Sequence, residues 1–180
     1  MPEGHSIHRL ARDHHRWFAG QSLSLSSPQG RFVEALRNRL GPDPLDPAAD
    51  ADRFSHNLSR RRRAIGAALL DQGVVAGIGN VYRAELLFLC RLNPTTPCNQ
   101  LAASQVDHLW SEMVRLLPIG VRTNRIITTV PADFDKTARK LTRKVSLWVY
   151  KRARCRMCSS DIATGTSGNR TLYWCPECQA

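Results

Sequence analysis

The chain has 180 residues, 42% of them hydrophobic, which is enough for one or two domains with a modest core. Its 26 Lys and Arg against 15 Asp and Glu give a formal charge of +11, which favours a polyanionic partner. Nucleic acid is the commonest such partner, and anionic membrane surfaces and ribosomal RNA are the competing ones. No stretch approaches the ~18 apolar residues of a membrane span, and the first ten residues lack the apolar run of a signal peptide. We therefore expect a soluble, cytoplasmic protein.

The N-terminal part of the sequence predicts a helix, a short strand, and a second short helix that starts at residue 33 and runs into a linker. Residues 5–20 carry apolar side chains at helical spacing and end on a glycine. The alternating residues 21–32 predict a short strand. Proline, aspartate and glycine are concentrated between Gly41 and Asp52, and this composition predicts a linker.

The middle of the sequence predicts three helices, which cover residues 58–72, 80–92 and 102–117. Asn80 is the predicted N-cap of the second helix, and Ser104 is the predicted cap of the third. Residues 118–150 are mixed and basic, and they end in the apolar and aromatic stretch VSLWVY.

A glycine-rich stretch, GVVAGIGN, lies between the first two of these helices. Gly77 and Gly79 permit close backbone approach there, and Asn80 opens a helix whose first N–H groups can bind a phosphate. A plain helix hairpin with a glycine turn is the alternative. The preceding run Arg60–Arg63 is either a solvated basic face or a set of phosphate contacts.

Four of the six cysteines form two C-x-x-C pairs near the C-terminus: Cys155, Cys158, Cys175 and Cys178. In a reducing cytosol such pairs indicate metal binding, and zinc prefers four thiolates in a tetrahedron. The intervening SSDIATGTSGNRTLYW predicts a β-hairpin, so we expect a zinc ribbon that holds one structural Zn²⁺. Redox-active or disulfide-paired cysteines are the alternative. Arg170, at the hairpin turn, is either a phosphate ligand or an ordinary solvated side chain.

Three stretches, MPEG, LLDQGVVAGIGNVYRAE and NRTLYWCPECQ, together closely resemble the formamidopyrimidine-DNA glycosylase/endonuclease VIII family of base-excision repair enzymes. The PEG start makes the bacterial endonuclease VIII branch the nearer one. The resemblance implies a mainly α fold with a small β zinc ribbon: a helix–two-turn–helix domain followed by a zinc finger. It divides the chain into a catalytic-domain remnant of a β-sandwich, a DNA-binding domain and a finger, at residues 1–41, 42–150 and 151–180.

The resemblance also implies roles for residues at both ends of the chain. Pro2, exposed after methionine removal, supplies a secondary amine that attacks C1′ of the sugar, and Glu3 acts as general acid. Asn80 and Arg170 bind the phosphates that flank the lesion, and Gly77 and Gly79 belong to the glycine-rich DNA-binding segment. The implied partner is double-stranded DNA with a damaged base or an abasic site, bound by a monomer in the bacterial cytoplasm without an organic cofactor.

The sequence departs from the family pattern in three places. After residue 32 it passes directly into what resembles the exit of the β-sandwich, so most of that domain is missing. No lysine precedes Lys136, so the phosphate-binding lysine of the family's sandwich has no counterpart. Ser6, preceded by His5, stands where the family commonly has a second glutamate. Two functions remain open: a bifunctional DNA glycosylase/AP lyase with a shortened catalytic domain, and a non-catalytic damaged-DNA-binding protein. A ribosomal or transcription-associated zinc ribbon is a weaker third.

Overall fold

The computed structural model of the chain describes residues 4–18, 39–129, 146–167 and 169–180. Its helices are α1 (Gly4–Phe18), α2 (Ala51–Ser59), α3 (Ile65–Ala68), α4 (Asn80–Leu89), a 3₁₀ turn (Cys98–Gln100) and α5 (Ala103–Thr123). An antiparallel pair of strands follows, β1 (Ala163–Ser167) and β2 (Arg170–Trp174). The described part is thus mainly helical with a small sheet, as the sequence predicts. Within it, no helix has the length and apolar character needed to cross a membrane.

The N-terminal helix and the linker are confirmed, and the predicted strand at 21–32 and the start of the short helix at 33 lie outside the described residues. The linker ends earlier than predicted, because α2 begins at Ala51. Asp50 is its N-cap, and its carboxylate accepts hydrogen bonds from the backbone N–H groups of Asp52 and Arg53 at 2.9 and 3.1 Å. These bonds satisfy donors that the first turn of a helix leaves unpaired.

The predicted helix over 58–72 is wrong. Helix α2 ends at Ser59, before the arginine run. In the rest of the predicted range, up to residue 72, only the four residues of α3 are α-helical. Tertiary hydrogen bonds explain the break, since the N–H of Ile65 donates to the carbonyl of Thr96 at 2.8 Å. Ala64 also forms an isolated β-bridge with Pro97. The apolar residues at helical spacing therefore belong to two separate helices here, the end of α2 and α3.

The two predicted helix caps are also wrong. Gly79 is the N-cap of α4, and Asn80 is its first residue, with its side chain directed to the hairpin. Ala102 precedes α5, and its N–H donates to the side-chain oxygen of Gln105 at 2.9 Å, so Ser104 lies inside the helix. A glutamine in the first turn can cap as well as a serine before it.

Helix α5 continues six residues beyond the predicted end at 117. It passes through Pro118 and ends at Thr123, followed by Asn124 in the left-handed region with φ +54°. Proline removes one helical hydrogen bond. The buried Ile119 and Gly120 extend the contact of α5 with the core, which favours continuation despite that loss.

Two apolar clusters hold the elements together. The larger lies between α2, α4, α5 and the glycine-rich loop, and includes Phe54, Leu58, Ile78, Leu109 and Met113, all at most 1% exposed. The smaller joins α4 to the C-terminal hairpin through Ala84, Phe88, Val149, Cys155 and Cys175. Helix α4 therefore belongs to both clusters and is the element on which the hairpin is seated.

Candidate nucleic-acid interface and metal centre

The start of α1 lies directly on the glycine-rich loop. The N–H of Gly4 donates to the carbonyl of Gly77 at 2.7 Å. Gly77 has φ +82°, and a Cβ placed on Gly4 would lie 2.7 Å from the Cα of Gly77. The contact therefore requires both glycines: Gly77 for its backbone conformation, and Gly4 because the two backbone segments lie too close for a side chain. The close approach expected at Gly77 is to the N-terminal helix of the same chain.

The linker packs against the same loop and completes the support of α1. The N–H of Gly41 donates to the carbonyl of Gln72 at 2.7 Å, and the side chain of Gln72 accepts from the N–H of Gly77 at 2.8 Å. On the other side, His8 Nε2 lies 2.7 Å from a carboxylate oxygen of Asp43. The N-terminal helix is therefore fixed by the linker and by the loop that leads into α4.

Asn80 and Arg170, the two predicted phosphate ligands, lie on adjoining elements. The side-chain amide of Asn80 donates to the carbonyl of Thr171 at 3.0 Å, and Thr171 is the residue after Arg170 in β2. Strand pairing places Ser167 opposite Arg170, and Asn169 in the turn has φ +57°. The predicted hairpin is confirmed, and its turn carries Arg170 close to the first turn of α4.

Arg83, which the sequence analysis did not identify, fills the space between these elements. It is fully buried, and its guanidinium donates to the carbonyls of Gly66 and Thr171 at 3.2 and 3.1 Å, with a longer bond of 3.4 Å to Ser167. It also donates to the side-chain oxygen of Asn80. Burial, with a smaller contribution from the charge of Arg170, lowers the pKa of Arg83 to about 10. The sequence feature that could have identified Arg83 is its position as a charged residue within an otherwise apolar predicted helix.

Glu85 is a second buried charged residue that the sequence analysis did not identify. Its two oxygens accept hydrogen bonds from the backbone N–H groups of Trp148, Val149 and Tyr150 at 2.7, 2.9 and 2.8 Å. A fourth bond comes from the hydroxyl of Thr128. The carboxylate thereby fixes the segment at 146–150 to α4, just before the cysteine module.

A cleft of about 530 Å³ opens beside the start of α1. Its walls come from α1, α4, residues 124–126 after α5 and the segment at 146–151, and include His5, Val81, Asn124, Arg125, Tyr150 and Lys151. Two cationic side chains among apolar neighbours suit an anionic partner with flat apolar parts.

His5 lines this cleft and is 6% exposed. Its ring meets that of Tyr82 edge-on at 5.6 Å, and its Nε2 lies 3.1 Å from the hydroxyl of Ser6. Burial lowers the pKa of His5 below its ordinary value. His5, in the wall of the cleft, is thus hydrogen-bonded to its neighbour Ser6.

The run Arg60–Arg63 is partly neutralised by one carboxylate. Asp71 pairs with Arg61 at 3.3 Å and also with Arg63. Burial opposes ionisation of Asp71, but the N–H of Gly73 and the two guanidiniums hold its pKa below the usual range. Arg61 and Arg63 therefore help to hold the turn that leads into the glycine-rich loop.

The four C-terminal cysteines converge on one point. Their sulfur atoms all lie within 4.8 Å of one another, with Sγ–Sγ distances of 3.4 Å (Cys158–Cys175), 3.6 Å (Cys158–Cys178) and 3.9 Å (Cys155–Cys178). A tetrahedral site with Zn–S bonds of about 2.3 Å requires sulfur separations of about 3.8 Å. The geometry therefore fits a four-thiolate metal site of that size. Disulfide bonds, at about 2.05 Å between sulfurs, do not describe these distances.

The metal-binding cluster is tied to the helical domain by a buried glutamine. Gln179 accepts a hydrogen bond from the N–H of Cys175 at 2.9 Å and donates to the carbonyl of Leu92, after α4, at 2.9 Å. The stacked rings of Phe88 and Trp148, 5.7 Å apart, add an apolar contact nearby. Pro2 and Glu3, the predicted catalytic residues, lie outside the described residues.

Comparison with known proteins identifies relatives of both the helical domain and the whole chain. Residues 40–132 match the formamidopyrimidine-DNA glycosylase H2TH domain. Endonuclease 8 1 of Mycobacterium tuberculosis is 30% identical in an alignment of 267 positions that takes in 99% of this chain and 100% of the relative. Since this chain has 180 residues, at least 87 of those positions have no counterpart in it.

Other relatives match over a shorter part of their length. The formamidopyrimidine-DNA glycosylase of Thermomicrobium roseum is 36% identical over 149 residues, which are 81% of this chain and 51% of the relative. A solved complex of Lactococcus lactis Fpg with abasic-site DNA superposes with a TM-score of 0.66 and 25% identity, over 86% of this chain and 56% of that one. The chain spans about half the length of the formamidopyrimidine-DNA glycosylases it matches. The domain match and the full-length relative together show that this protein belongs to the formamidopyrimidine-DNA glycosylase/endonuclease VIII family.

Proposed function

We propose that this chain acts in base-excision repair by binding duplex DNA at abasic sites and cutting the strand through the Pro2 amine. The observation that carries the proposal is the contact between Gly4 and Gly77. It anchors the start of the chain on the loop before α4, next to the hairpin that carries Arg170. An N-terminal nucleophile and a phosphate-binding surface are then parts of one site.

The binding half of the proposal rests on the described residues. Asn80 and Arg170 lie on adjoining elements at the start of a ten-residue helix, where N–H groups and the helix dipole favour an anion. The neighbouring cleft adds Arg125 and Lys151. With a formal charge of +11, the chain gains affinity for a polyphosphate by releasing counterions. The Lactococcus relative was solved in complex with abasic-site DNA.

The chemical half rests on the Pro2 amine. Two peptide units join Pro2 to Gly4 and can span no more than about 7.6 Å, so the anchor at Gly77 limits how far the amine can lie from the loop. An α-amino group has a pKa of about 7.7–8.0, so a useful fraction is unprotonated near neutral pH.

The reaction on an abasic site needs no oxidant, reductant or metal. The proline nitrogen adds to C1′ of the open sugar aldehyde, and loss of water gives an iminium ion, with Glu3 as the proton donor. The cation acidifies C2′, whose proton leaves as the bond to the 3′ phosphate breaks. A second elimination releases the 5′ phosphate, and water then frees the proline.

An abasic site is the substrate that requires least from the missing positions. Removal of a base needs a pocket for that base and side chains to fill the gap it leaves, whereas an abasic nucleotide carries no base and costs little to flip. We therefore propose AP lyase activity as the main activity and removal of oxidised bases as the weaker one. Residues 1–41 act as the catalytic remnant, 42–150 as the DNA-binding domain and 151–180 as the finger.

We further propose that the four-cysteine site holds one structural Zn²⁺. Four thiolates at tetrahedral separations are a donor set that zinc prefers, and they leave no open position for catalysis. The metal supplies folding free energy to a two-stranded hairpin that is too small to fold on its own core. No step of the DNA reaction involves it.

A second candidate function is binding of abasic or nicked DNA without cleavage. At least 87 positions of the alignment have no counterpart in this chain, and this favours the second function. Residues that would hold the sugar against the amine are then missing. The absence of any lysine before Lys136 points the same way. This candidate keeps Asn80 and Arg170 in the same roles and assigns none to Pro2.

Borohydride trapping on an abasic-site duplex separates the two functions. We expect the purified protein to form a covalent complex. The complex should be reduced in Pro2→Gly, which keeps only a primary amine, and lost in a chain with extra residues before Pro2, because the proline nitrogen is then part of an amide. Glu3→Gln should slow trapping without weakening the binding of a tetrahydrofuran duplex, which cannot react. Tight binding of that duplex with no trapped complex would support the non-cleaving function.

A further inference from the structure

Arg83 is the residue through which the finger hairpin and the first turn of α4 are connected. It is 0% exposed, which is rare for arginine, and both terminal nitrogens of its guanidinium donate hydrogen bonds, whereas its Nε has no partner among the described residues. Its guanidinium bonds reach three separate parts of the chain: Gly66 in α3, Asn80 in α4, and Ser167 and Thr171 on the two strands. The two strand carbonyls flank the turn that carries Arg170.

We propose that Arg83 is a positioning residue that holds Asn80 and the Arg170 hairpin together as one phosphate-binding unit. This inference rests on the proposed DNA-binding function. It assigns no contact between Arg83 and DNA, since the side chain is buried. The observation behind it is the shared use of Thr171, whose carbonyl accepts from both Asn80 and Arg83.

The bond from Arg83 also fixes which way the amide of Asn80 faces. Because the guanidinium can only donate, it must meet the oxygen of the amide, and the nitrogen is then turned to Thr171. That nitrogen carries two hydrogens, and one is used by Thr171. The second remains as a donor at the start of α4, where a phosphate can be bound.

A lysine in place of Arg83 cannot make the same set of hydrogen bonds. The planar guanidinium presents five donors in a fixed fork, and here it reaches acceptors on three elements, whereas an ammonium is a single flexible point charge. A two-stranded hairpin is only marginally stable on its own, so the orientation of its turn depends on such connections. Arg170 lies near enough for its charge to repel that of Arg83, and an anion bound between helix and hairpin relieves that repulsion.

The test measures affinity for a tetrahydrofuran duplex in Arg83→Lys and Arg83→Met, each with and without Arg170→Ala. We expect both Arg83 variants to bind about tenfold more weakly while cobalt absorption still reports a four-thiolate site. Arg170→Ala should weaken binding about tenfold in the wild type and less than about twofold in the Arg83 variants. Arg115→Met, which removes an exposed arginine of α5, is the matched control and should leave affinity within about twofold.

Three results would overturn the role of Arg83. One is wild-type affinity in a folded Arg83 variant. Another is the same loss from Arg170→Ala in every background, because additive effects mean that the residues act independently. If both Arg83 variants unfold, the third test combines Asn80→Ala with Arg170→Ala. A single phosphate-binding unit predicts that the two losses of affinity are not additive, so additive losses would overturn the proposal. Failure of the proposed function looks different: the wild type would then show no preference for the tetrahydrofuran duplex over undamaged DNA.

Discussion

Replacing Glu85 with glutamine tests whether one buried carboxylate fixes the segment before the finger. The side chain is fully buried, and its oxygens accept three backbone N–H bonds and one hydroxyl bond. Glutamine has nearly the same shape but only one oxygen. Its NH₂ group must therefore face donors in place of the second oxygen.

The expected cost follows from counting these donors. Oε2 serves Trp148 and Thr128, and the hydroxyl of Thr128 can turn to its other acceptor, the carbonyl of Ser146 at 3.2 Å. One backbone N–H then stays unpaired, at about 1–3 kcal/mol, and the two remaining bonds lose the charge on their acceptor, at about 1 kcal/mol each. Relief from burying a charge offsets part of this. We expect a net loss of about 3 kcal/mol, or about 6–12 °C in Tm for a chain of this size.

Urea unfolding of Glu85→Gln beside Glu112→Gln provides the measurement. Glu112 pairs with the exposed Arg115 on α5, and loss of such a pair costs at most about 1 kcal/mol. If Glu85→Gln loses no more than this control, the four hydrogen bonds do not hold the segment and our reasoning about α4 is wrong. Proteolysis near residue 148 should quicken in the Glu85 variant alone.

Three further predictions follow from the site. Gly77→Ala should cost about 1–2 kcal/mol in urea unfolding, because φ is +82° there, and should also slow borohydride trapping, whereas Gly165→Ala on β1 should leave trapping unchanged. A strong chelator should release one metal ion per chain and unpair the strands, which elemental analysis and circular dichroism will detect; Cys90→Ser should retain the metal. Burial lowers the pKa of His5, so the unfolded chain binds more protons below about pH 6.5 and stability should fall as pH drops through that point. His5→Gln should flatten that part of the stability curve, and an unchanged curve would show that the pKa of His5 is the same in the folded and unfolded chain.

Features written in short stretches of sequence could be predicted. The spacing of the four cysteines indicated a metal site, because a C-x-x-C turn places two thiolates side by side whatever surrounds it. The hairpin followed from turn-forming residues before TLYW. The glycines at 77 and 79 indicated close backbone approach for the same local reason. The family resemblance rested on these same stretches, and the comparisons confirm it.

Features that depend on distant parts of the chain could not be predicted. Arg83 and Glu85 look like ordinary charged helix residues until the partners of Arg83 at 167 and 171 and those of Glu85 at 128 and 148–150 are known. The helix expected over 58–72 failed for a related reason, since a carbonyl 31 residues further along, at Thr96, takes the N–H of Ile65. Periodicity shows which residues are apolar, but it does not show which backbone groups already have partners.

The contacts of α1 bear on which of the proposed activities is the stronger. The helix is held by Gly77 and by the linker at Asp43, both of which are present, so its placement does not depend on the unmatched positions. Its outer side is open in the described structure, with Ile7 and Leu10 51% and 55% exposed. Under the proposed function, the aldehyde of an abasic site is already exposed to attack, whereas base removal needs a closed pocket that excludes water. We therefore expect the proposed removal of bases to be much weaker than cleavage at an existing abasic site.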